Sequence, residues 1–143
     1  MAGAIRVSMK RFYRDQSGAV AIEFVLVAPI LFTLLFGIIT LGYFMGVSHS
    51  VQQLAAGAAR ASVAGLDQTE RKSLADAYLS QAGTRYPLLI TEGLTPVVTF
   101  EAADPPGINV EVSYSVDGTL LDVANGFLGL GISTIHRSSY LAY

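Results

Sequence analysis

Two residues at a fixed spacing carry the clearest chemistry in this sequence. Gly18 is followed at the fifth position by Glu23, within Ser17-Gly18-Ala19-Val20-Ala21-Ile22-Glu23-Phe24. Glu23 sits at the edge of a long apolar run. An ionised carboxylate at a membrane boundary costs about 1–3 kcal/mol, depending on depth, so a cation nearby would stabilise it. Cutting the peptide bond after Gly18 would create such a cation, an α-amino group on Ala19. On a helix, the first and fifth residues of the shortened chain lie one turn apart on one face. The amine and the carboxylate could then pair within one chain or between neighbours. The plainer reading leaves Glu23 among lipid headgroups with no specific role.

Other chemistry finds little support. The chain has no cysteine, which excludes disulfides, thiolate nucleophiles and Cys-based metal sites. Gly18 and Glu23 do not form a phosphate loop, since no Gly-Lys-Ser/Thr follows. No G-x-S-x-G elbow accompanies the serines and histidines. His49 and His136 are too far apart in sequence to suggest a metal pair, and Asp104, Asp117 and Asp122 fit no calcium-loop spacing. No catalytic residue, cofactor or metal is implied, and nothing resembles a nucleic-acid-binding surface.

The elements around Gly18 and Glu23 are those of a membrane anchor. Hydrophobic residues make up 52% of the 143 residues and charged ones 14%, an excess that belongs mostly to one segment. From Phe24 to Val47 there is no Asp, Glu, Lys, Arg or His. At about 1.5 Å per residue that run spans about 36 Å, enough for a hydrocarbon core of about 30 Å. It is apolar on every face, unlike a surface helix, and far longer than the core of a cleaved secretory signal. Arg6, Lys10, Arg11 and Arg14 precede it against Asp15, while acidic residues outnumber basic ones from Ser48 onward. That asymmetry predicts an N-terminus held in the cytoplasm and a C-terminal part outside it. Pro29 removes one helix hydrogen bond and should bend the inner half. Gly42 and Gly46 form a small-xxx-small pair suited to helix–helix packing, and Tyr43 and Phe44 fall near the outer interface.

Beyond the anchor, Val51, Leu54, Ala58 and Ala61 recur at helical spacing, with Ser48, His49, Gln52, Gln53 and Arg60 on the wet faces. This narrow stripe suits equally a partner helix or the chain's own domain. Gly65 should stop the helix. Asp67-Gln68-Thr69-Glu70 reads as a capping box for a second helix with Leu74, Ala75, Tyr78, Leu79 and Ala82 on its apolar side, ended by Gly83 and Pro87. Ile108, Val110, Val112, Tyr114 and Val116 alternate with polar residues as a strand. Pro96–Ala102 is a second strand joined through the turn Asp104-Pro105-Pro106-Gly107. Leu120–Phe127 reads as a short helix and Ile132–Tyr143 as a third strand. The expected class is α+β, with a small antiparallel sheet too slight to stand without the long helix or a partner.

A basic leader ending in glycine, Glu at the fifth position after it, Phe next, and then a long apolar helix resembles a type IV prepilin processing site. The form Gly18-Ala19-Val20-Ala21-Ile22-Glu23-Phe24, with Pro29 in the helix and Phe36-Gly37-Ile38-Ile39 beyond it, resembles the Tad/Flp branch and more narrowly the TadE-like pseudopilins. The close likeness covers about Arg11 to Arg60, including the small-residue stretch Leu54–Ala61. The resemblance implies cleavage between Gly18 and Ala19 by a prepilin peptidase, and a registration role for Glu23 and Phe24. It implies helix packing around Pro29, Gly42 and Gly46 against other pilins, pseudopilins and Tad assembly-platform proteins, including a hetero-oligomer with a second pseudopilin. The leader is long for such proteins, and Met9 would begin the more usual MKRFYRDQSG. The expected organisation is a basic cytoplasmic leader over 1–18, a transmembrane helix over 19–47, extracytoplasmic helices over 48–83 and a small antiparallel β region over 84–143, in a bacterial cytoplasmic membrane. The alternative is an unprocessed single-pass anchor carrying a periplasmic binding or scaffold domain.

Overall fold

A computed structural model describes residues 16–143; the basic leader, up to Asp15, lies outside the described residues. The chain forms two compact units, Met1–Ile39 and Thr40–Tyr143, so the expected boundary between 47 and 48 falls inside the second unit. One helix, α1, runs Gln16–Ser62 through both. It remains continuous across Pro29, where the Thr33 hydroxyl donates to the Pro29 carbonyl at 2.8 Å. Within the first unit, the large aliphatic and aromatic side chains that stand out on α1 from Val20 to Ile39 are between 49% and 69% exposed. Water does not tolerate so continuous an apolar surface. This helix is long and apolar enough to span a membrane.

The second unit has a conventional core. Three strands, β1 (Leu94–Glu101), β2 (Gly107–Ser115) and β3 (Thr134–Ala142), form an antiparallel sheet in that order. β2 is central, and its alternation behaves as the sequence predicts. Ile108, Val110, Val112 and Tyr114 are buried, as is Val116 just beyond, while Glu111 is exposed. Pro96 lies on β1, an edge strand, where its missing N–H costs no ladder bond on the outer side. Val47, Val51, Leu54, Ala55, Ala58 and Ala59 of α1 belong to the same core as the β2 residues. Each fully buried Val, Leu or Ile contributes about 1.5–3 kcal/mol, so the helix supplies a large share of what holds the sheet.

The stripe on α1 differs from the sequence expectation in two ways. Ser62 is fully buried while Ala61 is half-buried; the Ser62 hydroxyl donates to the Ala59 carbonyl at 2.7 Å. Ser48, expected on a wet face, is buried and accepts from Arg137 Nη2 at 3.2 Å. The stripe packs on the chain's own domain.

Helix α2 (Gln68–Leu79) starts as predicted. The Asp67 carboxylate accepts from Glu70 N at 2.8 Å, a cap that typically contributes about 1 kcal/mol. Glu70 reaches back to Leu66 N, one residue before the cap, instead of to the cap itself. The helix ends earlier than Gly83. Gln81 N donates to the Tyr78 carbonyl, tightening the last turn, and a short helical turn, α3 (Ala82–Arg85), follows and buries Ala82. A 3-10 turn at Thr91–Gly93 leads into β1. Between β2 and β3, α4 (Leu120–Leu128) is capped by the Thr119 hydroxyl and closed by Gly129 at φ +63, a left-handed conformation that favours glycine.

Tyr78 and Tyr86 tie α2 to the segment after α3 through a hydroxyl–hydroxyl hydrogen bond of 3.2 Å. Burial of the Tyr86 ring, aided by Tyr78, pushes its pKa up to about 12 against the partial opposition of Arg85 and Arg60. A tyrosine in the unfolded chain ionises near pH 10. The folded state therefore keeps a proton that the unfolded state loses, and stability falls as pH rises from about 10 to about 12. Urea midpoints measured across that range should fall with pH, and Tyr86→Phe should flatten the part of the fall that this residue causes.

Candidate functional site

The processing, registration and helix-packing residues expected from the sequence all lie on α1. The helix covers both Gly18 and Glu23, which places residues 19 and 23 one turn apart, about 6 Å along the axis. Gly18 is exposed, and a Cβ built on it would meet no atom within 4 Å. Among the described residues, its surroundings give no packing reason for glycine at that position. Glu23 is exposed and makes no hydrogen bond or ion pair with any described residue. Phe24 is 67% exposed. The start of the helix thus presents a bare glycine, a carboxylate and an aromatic ring, none of them used by the chain's own fold among the described residues.

The two glycines expected to serve helix packing differ. A Cβ on Gly42 would meet nothing within 4 Å, whereas one on Gly46 would come to 3.1 Å from Leu88 Cδ1. Gly46 lets the 86–90 segment of its own domain approach the helix. Gly42 keeps an open face. The sequence offered no sign of the Leu88 contact, because the two residues are remote in the chain and Leu88 belongs to no periodic element.

Several polar contacts that fix the domain on α1 also escaped the sequence reading. Gln52 Nε2 donates to the Ser138 carbonyl at 3.1 Å on edge strand β3. Arg71 stacks over the Tyr143 ring at 3.4 Å and donates from Nε to the Gly65 carbonyl at 2.9 Å. No residue pattern announces an Arg–aromatic pair across such a separation.

A binding domain would need a cleft with converging polar groups. The depression over α2 is lined by Gln68, Thr69, Lys72, Ser73, Asp76 and Phe100, and Lys72 and Asp76 there satisfy each other at 2.6 Å. Asp104 lies in the turn between β1 and β2, while Asp117 and Asp122 lie at the other end of the sheet, so the three do not converge. His49 faces Gln53, and His136 Nδ1 shares a 2.8 Å hydrogen bond with Ser113. No group of metal-ligating side chains occurs among the described residues.

The family model of the TadE-like proteins matches residues 18–60. This segment is TadE-like. The match begins at the glycine and ends two residues before α1 does, so it takes in the bare helix start, the apolar run and the stripe that packs on the sheet. No curated protein and no solved structure matches the chain. A TadE-like segment suggests a component associated with a Tad pilus. It also suggests contact with other pilus components. With the one helix among the described residues that is long and apolar enough to cross a membrane, these findings are consistent with a membrane-anchored component.

The glycine geometry has a measurable consequence. Gly46→Val should push the Leu88 segment away and destabilise the domain by about 1–3 kcal/mol, as overpacking does. That corresponds to a fall in Tm of several degrees for a unit of this size. Gly42→Val should leave Tm unchanged in detergent-solubilised protein followed by circular dichroism.

Proposed function

We propose that the chain is a minor pseudopilin-type subunit of a Tad-type (Flp) pilus, cut between Gly18 and Ala19 by a prepilin peptidase. The observation that carries this reading is the exposed Gly18, Glu23 and Phe24 at the head of an apolar helix, within the TadE-like match. Residues 19–47 span the bacterial cytoplasmic membrane with the N-terminus inside. Residues 48–143 lie outside, as extracytoplasmic helices over 48–83 followed by the β region over 84–143.

The mechanism follows from electrostatics in a poor solvent for ions. Cleavage removes the basic leader and leaves an ammonium on Ala19, one helical turn from the Glu23 carboxylate. Each charge alone is costly at the membrane boundary, and pairing offsets that cost. If the pair forms between neighbouring subunits, it sets their axial register. Phe24 and the open face at Gly42 then pack against the helices of other pilins, of a second pseudopilin and of the assembly platform. Processing is the switch, because the uncleaved chain has no ammonium at this position and still carries the basic leader on the cytoplasmic side.

Gly18→Leu should abolish processing, leaving a chain heavier by the leader on a denaturing gel of whole cells; a mature-sized product from this variant would overturn the reading. Glu23→Ala should still be cut, but should co-purify with its pilus partners several-fold less well. Undiminished assembly of the Glu23→Ala chain would remove that residue from registration.

A further inference from the structure

The end of the second unit at which its first residue, Thr40, lies carries an apolar platform that the core does not use. The contacts between α1 and β3 set the direction. Ser48 meets Arg137, Gln52 meets Ser138, and Arg71, tied to Gly65, meets Tyr143. Moving along α1 away from Thr40 therefore means moving along β3 toward Tyr143. The opposite end of the sheet, where Ser115 pairs with Thr134, lies toward Thr40. Helix α4 and its following loop connect those two residues. The 86–90 segment belongs to the same end: Leu88 touches Gly46, and Ile90 N donates to the Tyr114 hydroxyl at 3.3 Å.

At this end α4 turns Leu121 and Ala124 into the core and leaves Val123 and Phe127, one turn apart, 53% and 80% exposed. Leu130, Leu88 and Ile90 add further exposed apolar surface. Asp122 stands on the flank of α4 away from Val123 and Phe127, where it accepts from Gly118 N at 3.1 Å. The platform is held firmly. Thr119 caps α4, and the Asn125 side-chain amide bonds both the N–H and the carbonyl of Ile132, fixing the loop beneath the helix.

We propose that this platform rests in the headgroup and upper acyl region of the bilayer that α1 crosses. Position decides the occupant. Counted from Glu23 at the inner boundary, about 20 residues of helix cross a hydrocarbon core of about 30 Å, so the outer surface falls close to Tyr43 and Phe44. A helix with its apolar side chains on one flank and a carboxylate on another suits that interface, where such side chains sink about 5–10 Å. The lipid contact holds the domain against the surface. It rests on the membrane placement of α1 and is independent of processing at Gly18.

The absence of native cysteines makes the test direct. Single substitutions Val123→Cys, Phe127→Cys, Leu34→Cys and Glu111→Cys in the full chain, each carrying a nitroxide, are reconstituted into phosphatidylethanolamine–phosphatidylglycerol vesicles. Collision with oxygen, which partitions into lipid, is compared with collision with a water-soluble nickel chelate. Labels at 123 and 127 should show an oxygen-to-nickel ratio several-fold above that at 111 and below that at 34. Ratios at 123 and 127 equal to that at 111, with 34 deep in lipid, would overturn the platform proposal alone. A nickel-accessible label at 34 would overturn the membrane placement with it. Labels at 123 and 127 shielded from both reagents would show a protein contact, a second copy of the chain, in place of lipid.

Discussion

Water cannot solvate the flank of α1 between Val20 and Ile39, and that constraint organises the rest of the molecule. Side chains as large as Phe24, Leu26, Ile30 and Phe32 stand out on it with half or more of their surface uncovered. At about 25 cal/mol per Å² of apolar surface, leaving them in water would cost far more than the 5–15 kcal/mol by which a domain of this size is stable. A bilayer removes the cost, as do the helices of neighbouring subunits. Either environment makes a lone carboxylate at the helix head expensive, which is why Glu23 draws attention and why a counter-charge created by cleavage is the economical explanation of its position.

The same helix changes character along its length. Up to Ile39 it is apolar all round; from Val47 it buries one face, built of valine, leucine and alanine, against a three-stranded sheet. Small residues allow close approach of helix and sheet, and the polar contacts Gln52–Ser138 and Arg137–Ser48 fix the register of that approach. The sheet is slight, with three strands, so it depends on α1 much as α1 depends on lipid. A TadE-like match confined to residues 18–60 covers the part of the chain under the tightest physical constraint. The sheet needs only to present a compatible apolar face, a requirement that many sequences meet.

Much of this was legible in the sequence because it rests on short-range periodicity. The alternation from Ile108 to Val116, the cap at Asp67 and the helical excursion after Thr119 are each local, and each occurs where expected, with boundaries displaced by a few residues. What was not legible depends on residues far apart in the chain. Ser48 reads as a surface serine because nothing nearby announces Arg137. Gly46 reads as a membrane packing motif because Leu88 arrives from an irregular segment. Turn chemistry predicts a second helix as far as Gly83, whereas the Tyr78–Tyr86 bond and the burial of Ala82 redirect the chain soon after Leu79. At the candidate site the sequence named Gly18, Glu23 and Phe24. The structure adds that the described part of the fold uses none of them for packing or pairing, which is where residues kept for another molecule would be found.

The most direct test of the account is the N-terminus of the protein isolated from its native membrane, read by intact mass and N-terminal sequencing. The account predicts a mature chain beginning at Ala19, with the free amine one helical turn from Glu23. A chain that still carries residues before Gly18 in assembled material would contradict it, leaving a plain membrane anchor whose glycine and carboxylate have no joint role.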